Sequence, residues 1–172
     1  MNPPVAEPPY VASLDEMFWG GILVAATMVF HGLGMLGVLR VNTRLQFRIE
    51  QKPSFLTDIS VLILASWLIL LVHLVEVVLW AGFFWWKKAF VNASTCYYFS
   101  LNQYTTVGSG LGLPLNWRLL EGMIAAAGLL TFAWSTGILL TLAQDFQDRQ
   151  MKSFRQKHGE PPSAPSAPRQ NS

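Results

Sequence analysis

Charge is scarce in this chain. Asp, Glu, Lys and Arg make up 13% of its 172 residues, about half the share of a soluble domain. Lys/Arg runs are missing and the formal net charge is only +2, so a nucleic-acid partner is not expected. There is one cysteine, Cys96, which excludes an intrachain disulfide and is expected as a buried small side chain rather than a reactive thiol. No apolar stretch carries the repeated arginines of a voltage sensor. No internal repeat is visible, and the residues after the last apolar stretch are too few for a nucleotide- or calcium-binding domain.

What is abundant is apolar surface. The chain is 52% hydrophobic, with seven Trp and eleven Phe. A core of this size cannot hide that much apolar area, which points to a membrane protein. Three stretches are long enough for about 30 Å of hydrocarbon: Met17 to Leu39, Ile59 to about Phe84, and Glu121 to about Leu142. The first is not expected to be a signal peptide. Glu7, Asp15 and Glu16 precede it without any Lys or Arg, the reverse of a signal n-region.

The basic residues orient the spans. Arg40, Arg44, Arg48 and Lys52 follow the first span, and Arg149, Lys152, Arg155 and Lys157 follow the third. The stretch between spans two and three has Lys87, Lys88 and Arg118 alone. The positive-inside rule puts the N-terminus outside and the C-terminus in the cytoplasm. Phe18, Trp19, Phe83, Phe84, Trp85, Trp86 and Trp117 then form an outer aromatic belt.

The outer loop, Lys87 to Arg118, has an apolar-aromatic middle, "STCYYFSLNQYT". It predicts a short helix N-capped by Asn92 or Ser94, too short to span. "TTVGSG" follows, then a return past Pro114. This pattern reads as a re-entrant loop, tolerated at membrane depth only where protein or water covers its backbone. Backbone carbonyls along such a segment can replace the water shell of an ion. Gly108 and Gly110 would supply the alternating positive φ that turns carbonyls to one axis. The short helix would end near Thr105, with its negative end favouring a cation. One strand cannot surround an ion, so several copies are required.

"YYFSLNQYTTVGSG", then a Pro and an apolar helix, resembles the pore module of tetrameric potassium channels, over about Asp58 to Phe146. It is most similar to small bacterial channels of the two-helix pore type, with an extra helix ahead. The resemblance implies a homotetramer with Thr106, Val107, Gly108, Ser109 and Gly110 as the filter. It implies support from Tyr98 and Phe99 of the pore helix. Ser109 stands where the family has Tyr or Phe, and Leu111 where it often has Asp. A small residue at the Ser109 position resembles non-selective sodium/potassium channels, so selectivity stays open.

Titratable residues inside the spans have two readings each. "HLVE" puts His73 and Glu76 one turn apart. Glu76 either braces the filter through Asn102 or Gln103, or forms a local pair with His73. His31 can reach His73 across a helix pair. The expectation is a hydrogen-bonded core histidine, with a metal site from His31, His73 and Glu76 as the weaker reading. Glu121 is either a helix-terminal cap or part of a cation-attracting ring. Gly122, Gly128 and Gly137 are close-packing positions, and Gly128 is equally a candidate gating hinge.

The expected architecture is an all-α membrane protein: three transmembrane helices, a re-entrant pore helix and a filter loop, assembled as a homotetramer. Its segments are a flexible outer N-terminus (1–16), an extra helix (17–40), a cytoplasmic basic loop (41–57), the pore module (58–146) and a disordered tail (147–172). The expected function is a cation channel of the bacterial inner membrane. K⁺ is the leading permeant ion and Na⁺ the second. No enzyme activity, cofactor or resident metal is expected, and lipid and further copies of the chain are the partners. The alternatives are a non-selective cation channel, a non-conducting scaffold of the same build and, distantly, a membrane metalloenzyme.

Overall fold

The computed structural model describes residues 10–49 and 55–157. These residues form α1 (Leu14–Ile49), α2 (Phe55–Trp86), α3 (Ala93–Tyr104), a single 3₁₀ turn (Leu115–Trp117) and α4 (Leu119–Lys157), with no strand among them. Three helices are long and apolar enough to cross a membrane: those covering Leu14–Phe47, Phe55–Trp86 and Leu115–Arg155. The fold is all-helical, as the composition implied.

Helix α1 starts earlier than the first apolar residue suggested, at Leu14 rather than Met17. The cause is a reciprocal cap. The Glu16 amide donates to Ser13 Oγ at 3.2 Å, and the Ser13 amide donates to the Glu16 carboxylate at 2.9 Å. The helix also runs past Arg40 to Ile49, so the first part of the expected basic loop is helical. Helix α4 likewise continues beyond Phe146 to Lys157. No Gly or Pro interrupts 147–157, and Gln150 Nε2 donates to Asp58 Oδ2 of α2 at 2.9 Å. The remainder of the expected N-terminal segment (1–9), of the loop (50–54, with Lys52) and of the tail (158–172) lies outside the described residues.

One stripe of α1 is buried at helical spacing: Glu16, Leu23, Thr27, His31, Met35, Val38 and Asn42. It packs on α2 and α4. Trp80 Nε1–H of α2 donates to Thr27 Oγ1 at 3.0 Å, a polar tie inside an apolar contact. Helix α3 lodges against α2 and α4. It buries Cys96, Phe99 and Tyr104 in a cluster with Trp80, Phe84, Leu120, Ile124 and Ala127, and Ser100 is buried as well. A second cluster, Met35, Val38, Ala65, Ile69 and Leu142, holds the opposite end. Large apolar side chains such as Val29, Phe30, Trp67, Leu70 and Leu71 remain exposed on the outer faces, as a lipid-facing surface requires.

Near the α3 end of the bundle, four rings surround one ammonium. Lys87 Nζ lies 4.4 Å from the Trp19 ring centroid and 4.2 Å from that of Trp86, with Phe83 and Trp117 beyond. Four of the seven expected belt residues thus converge on a lysine that joins α1, α2 and the 3₁₀ turn, whereas Phe84 is buried in the core.

Gly128 is the tightest backbone contact. A Cβ there would stand 1.9 Å from the Tyr104 carbonyl oxygen, whereas Gly122 and Gly137 face open space. The last turn of α3 therefore rests directly on α4, and Gly128 has a packing role. We expect Gly128→Ala to cost about 1–3 kcal/mol or more, because backbone rather than a flexible side-chain tip must move. Gly137→Ala should be neutral or slightly stabilising. Thermal unfolding of both variants in the same detergent checks this difference.

Candidate functional site

Two features meet at the C-terminal end of α3. One is a buried ring of polar side chains, and the other is the glycine-bearing segment that follows.

The ring starts from Glu76 of α2, fully buried within an apolar span. A lone carboxylate there is expensive, and α1 supplies a partner: His31 Nδ1 and Glu76 Oε1 share a hydrogen bond of 2.9 Å. His31 Nε2 lies 3.3 Å from Ser135 Oγ of α4. Ser135 Oγ lies 3.0 Å from His73 Nε2 of α2. His73 Nδ1 lies 2.9 Å from the Tyr104 hydroxyl of α3. The Tyr104 hydroxyl donates to Glu76 Oε2 and closes the circuit.

Five links join five side chains, one proton per link. Neutral Glu76, His31, Ser135, His73 and Tyr104 contribute one proton each. An ionised Glu76 with one imidazolium supplies the same number. Either inventory satisfies every link and leaves no net charge, which a low-dielectric site demands. Thr131 Oγ1 also bonds the Tyr104 hydroxyl and the Ala127 carbonyl.

This arrangement corrects one expectation and sharpens another. Neither Asn102 nor Gln103 is the partner of Glu76. Asn102 Nδ2 donates to the Tyr98 carbonyl at 2.8 Å, back along its own helix. Tyr104 faces α2 and takes the role. The His73–Glu76 proximity is present, at 3.5 Å between Nδ1 and Oε2, but as one side of a larger ring. His31, His73 and Glu76 do converge, each with a possible ligand atom within 4.8 Å of the others. Those atoms are already joined to one another or to Tyr104 and Ser135, as a satisfied hydrogen-bonded cluster is. Tyr104, Thr131 and Ser135 were not singled out in the sequence. Thr131 and Ser135 lie four apart in an apolar span, a polar pair on one helix face. That spacing was the available signal.

The following segment is irregular from Thr105 to Pro114. Thr106, Val107, Gly108 and Gly110 are exposed and Ser109 is half-buried. Thr106 (φ 61°) and Gly108 (φ 78°) are left-handed. The expected pair was Gly108 and Gly110, so the alternation is present but lies one step earlier, and Gly110 is not left-handed. For a β-branched threonine this conformation is strained by about 1–3 kcal/mol and persists only where surroundings impose it. Here the Thr106 amide donates to the Gln103 carbonyl and the Gly108 amide to the Asn102 carbonyl. Both hang from the last turn of α3.

The remaining candidates fall into place around this. Phe99 is buried against Phe84 and Phe90, whereas Tyr98 is 55% exposed. Ser109 Oγ donates to the Leu111 carbonyl at 3.0 Å. Asn92 occupies the N-cap of α3 without a side-chain bond. Glu121 accepts from the Leu113 amide at 2.6 Å, clamping the end of the glycine-bearing segment rather than a helix end. Glu16 reaches from α1 to accept from the Leu119 amide at 3.1 Å. Cys96 is buried, which pushes its thiol pKa up.

The fold and these sites define a multi-pass helical membrane protein with a polar ring buried between its spans. Among known proteins the chain matches no family model, no curated protein and no solved structure.

Tyr104→Phe should remove a donor from Glu76 and lower stability by about 1–3 kcal/mol, read as a reduced unfolding midpoint in detergent. Cys96 should resist maleimide in the folded protein and react fully after denaturation, measured by intact mass.

Proposed function

We propose that the chain assembles as a homotetrameric cation channel of the plasma membrane, with potassium as the ion it carries best. In this reading α2 is the outer helix and α3 the re-entrant pore helix. Residues Thr106 to Gly110 form the filter and α4 is the inner helix. The N-terminus lies outside and the C-terminus lies in the cytoplasm.

The observation that carries the proposal is the left-handed alternation at Thr106 and Gly108, directly after a helix too short to span that buries one face against α2 and α4. Alternating handedness turns successive carbonyls toward one side, the arrangement that can replace an ion's water shell without charged side chains. The C-terminal end of α3, with its partial negative charge, points into the same segment and favours a cation there. Val107 is 76% exposed in the single chain. An exposed irregular backbone between membrane helices needs cover from protein or water, and four copies around an axis supply both.

One observation favours a non-selective cation channel as the second reading. Ser109 turns its hydroxyl to the Leu111 carbonyl, and the Tyr98 ring is left exposed. No side chain at position 109 spans from the filter to the pore helix, so the filter is less firmly propped against collapsing or widening.

Purified protein should run as a tetramer by native mass spectrometry and carry K⁺ flux in liposomes. Flux equal to that of empty vesicles for both K⁺ and Na⁺ would remove the channel reading. Under opposed K⁺/Na⁺ gradients, Ser109→Tyr should move the reversal potential toward that of K⁺. An unchanged potential would show that Ser109 does not set selectivity.

A further inference from the structure

We infer that His31, on the helix ahead of the pore module, is a positioning residue for the filter, acting through Glu76 and Tyr104. This rests on the channel reading and adds to it a part of the chain that the module does not contain. The sequence pointed to His31 as a hydrogen-bonded core histidine able to reach His73. Packing carries it on to Glu76, so that α1 supplies one of the side chains that close the buried ring.

The physical path is short. His31 Nδ1 holds Glu76 Oε1 at 2.9 Å, and Glu76 Oε2 accepts from the Tyr104 hydroxyl. Tyr104 is the last residue of α3. Its carbonyl is pressed on Gly128 of α4, so the turn is gripped on its backbone and on its side chain. The amides of Thr106 and Gly108 hang from the carbonyls of Gln103 and Asn102 in that turn. A small rotation of the turn therefore reorients the two left-handed residues.

Without His31, Glu76 Oε1 loses its hydrogen-bond partner and Ser135 loses one of its two imidazole partners. The Glu76 carboxyl group then turns to satisfy Oε1, and the Tyr104 hydroxyl bonded to its other oxygen moves with it. Helix α1 also holds the far side of the same loop, where Glu16 accepts from the Leu119 amide. The extra helix thus grips the pore loop before and after the filter. A helix that merely packed against lipid or a neighbour would not need fully buried polar side chains at 16 and 31.

The test is the K⁺/Na⁺ permeability ratio from reversal potentials in proteoliposomes. His31→Ala should change the ratio by about threefold or more, in protein that is still tetrameric and conducting. His31→Gln can still donate to the carboxylate and should restore most of the wild-type ratio. Thr27→Val removes another buried bond from the same face of α1, to Trp80, and should lower stability without moving the ratio. If His31→Ala does not assemble, Tyr104→Phe breaks the path one step nearer the filter and should shift the ratio itself.

An unchanged ratio in conducting His31→Ala, or in conducting Tyr104→Phe, would overturn the inference. So would an equal shift in Thr27→Val, which would mean general loosening of α1. One transition metal per chain in the purified protein, lost in His31→Ala, would also overturn it, by making the cluster a metal site. Wild-type protein without flux is a different result: it defeats the channel reading, and this inference with it.

Discussion

A carboxylate buried among apolar helices is the constraint around which the rest of this molecule is arranged. Glu76 is fully covered within α2, and its desolvation has to be offset by donors brought from elsewhere. Its own helix supplies His73 one turn away, but that imidazole faces Tyr104 and Ser135 as well. The direct hydrogen bonds to Glu76 come from His31 of α1 and Tyr104 of α3, and Ser135 of α4 joins the two imidazoles. The ring therefore takes at least one side chain from every helix, and none of the four can shift without breaking a link. Hydrophobic burial holds the bundle together without direction. The ring gives it a single register.

Close backbone approach makes that register possible. Gly128 lets the Tyr104 carbonyl sit where any side chain would stand, which brings the Tyr104 hydroxyl within reach of Glu76 and Thr131. The same contact sets where α3 ends. The chain leaves that end through Thr106 in a left-handed conformation, strain that the anchored turn can impose. Beyond the irregular segment, Glu121 and Glu16 accept from the Leu113 and Leu119 amides. The loop is thus held at its start by carbonyls of the last turn of α3 and at its far end by two carboxylates, while its middle stays exposed.

Much of the architecture was legible in the sequence. Apolar runs of spanning length marked α1, α2 and α4, because hydrocarbon thickness dictates length directly. Asn92 and Thr105 bracketed α3 closely, since its apolar stretch is short and bounded by polar residues. The helix ends were less legible. Ser13 and Glu16 form a capping box that can be recognised from spacing alone, yet an apolar count starts the helix at Met17. Beyond Phe146 the chain turns polar, and polarity reads as a loop. The α4 backbone continues because nothing in 147–157 breaks a helix.

The sequence by itself determined that this is a helical membrane protein and that one short, uncharged, glycine-bearing segment interrupts it. Those are properties of composition and spacing, which act locally along the chain. Tertiary structure decided which residues serve that segment. Glu76 and His31 are separated by |i−j| = 45, and helical periodicity says which face each occupies but not which neighbour meets it. Only packing joined His31 to Glu76, chose Tyr104 over Asn102 as the contact on α3, and assigned Gly128 to close approach. It also moved the left-handed pair from Gly108 and Gly110 to Thr106 and Gly108, because the amides of that segment are anchored to the last turn of α3 rather than free to follow their own preferences.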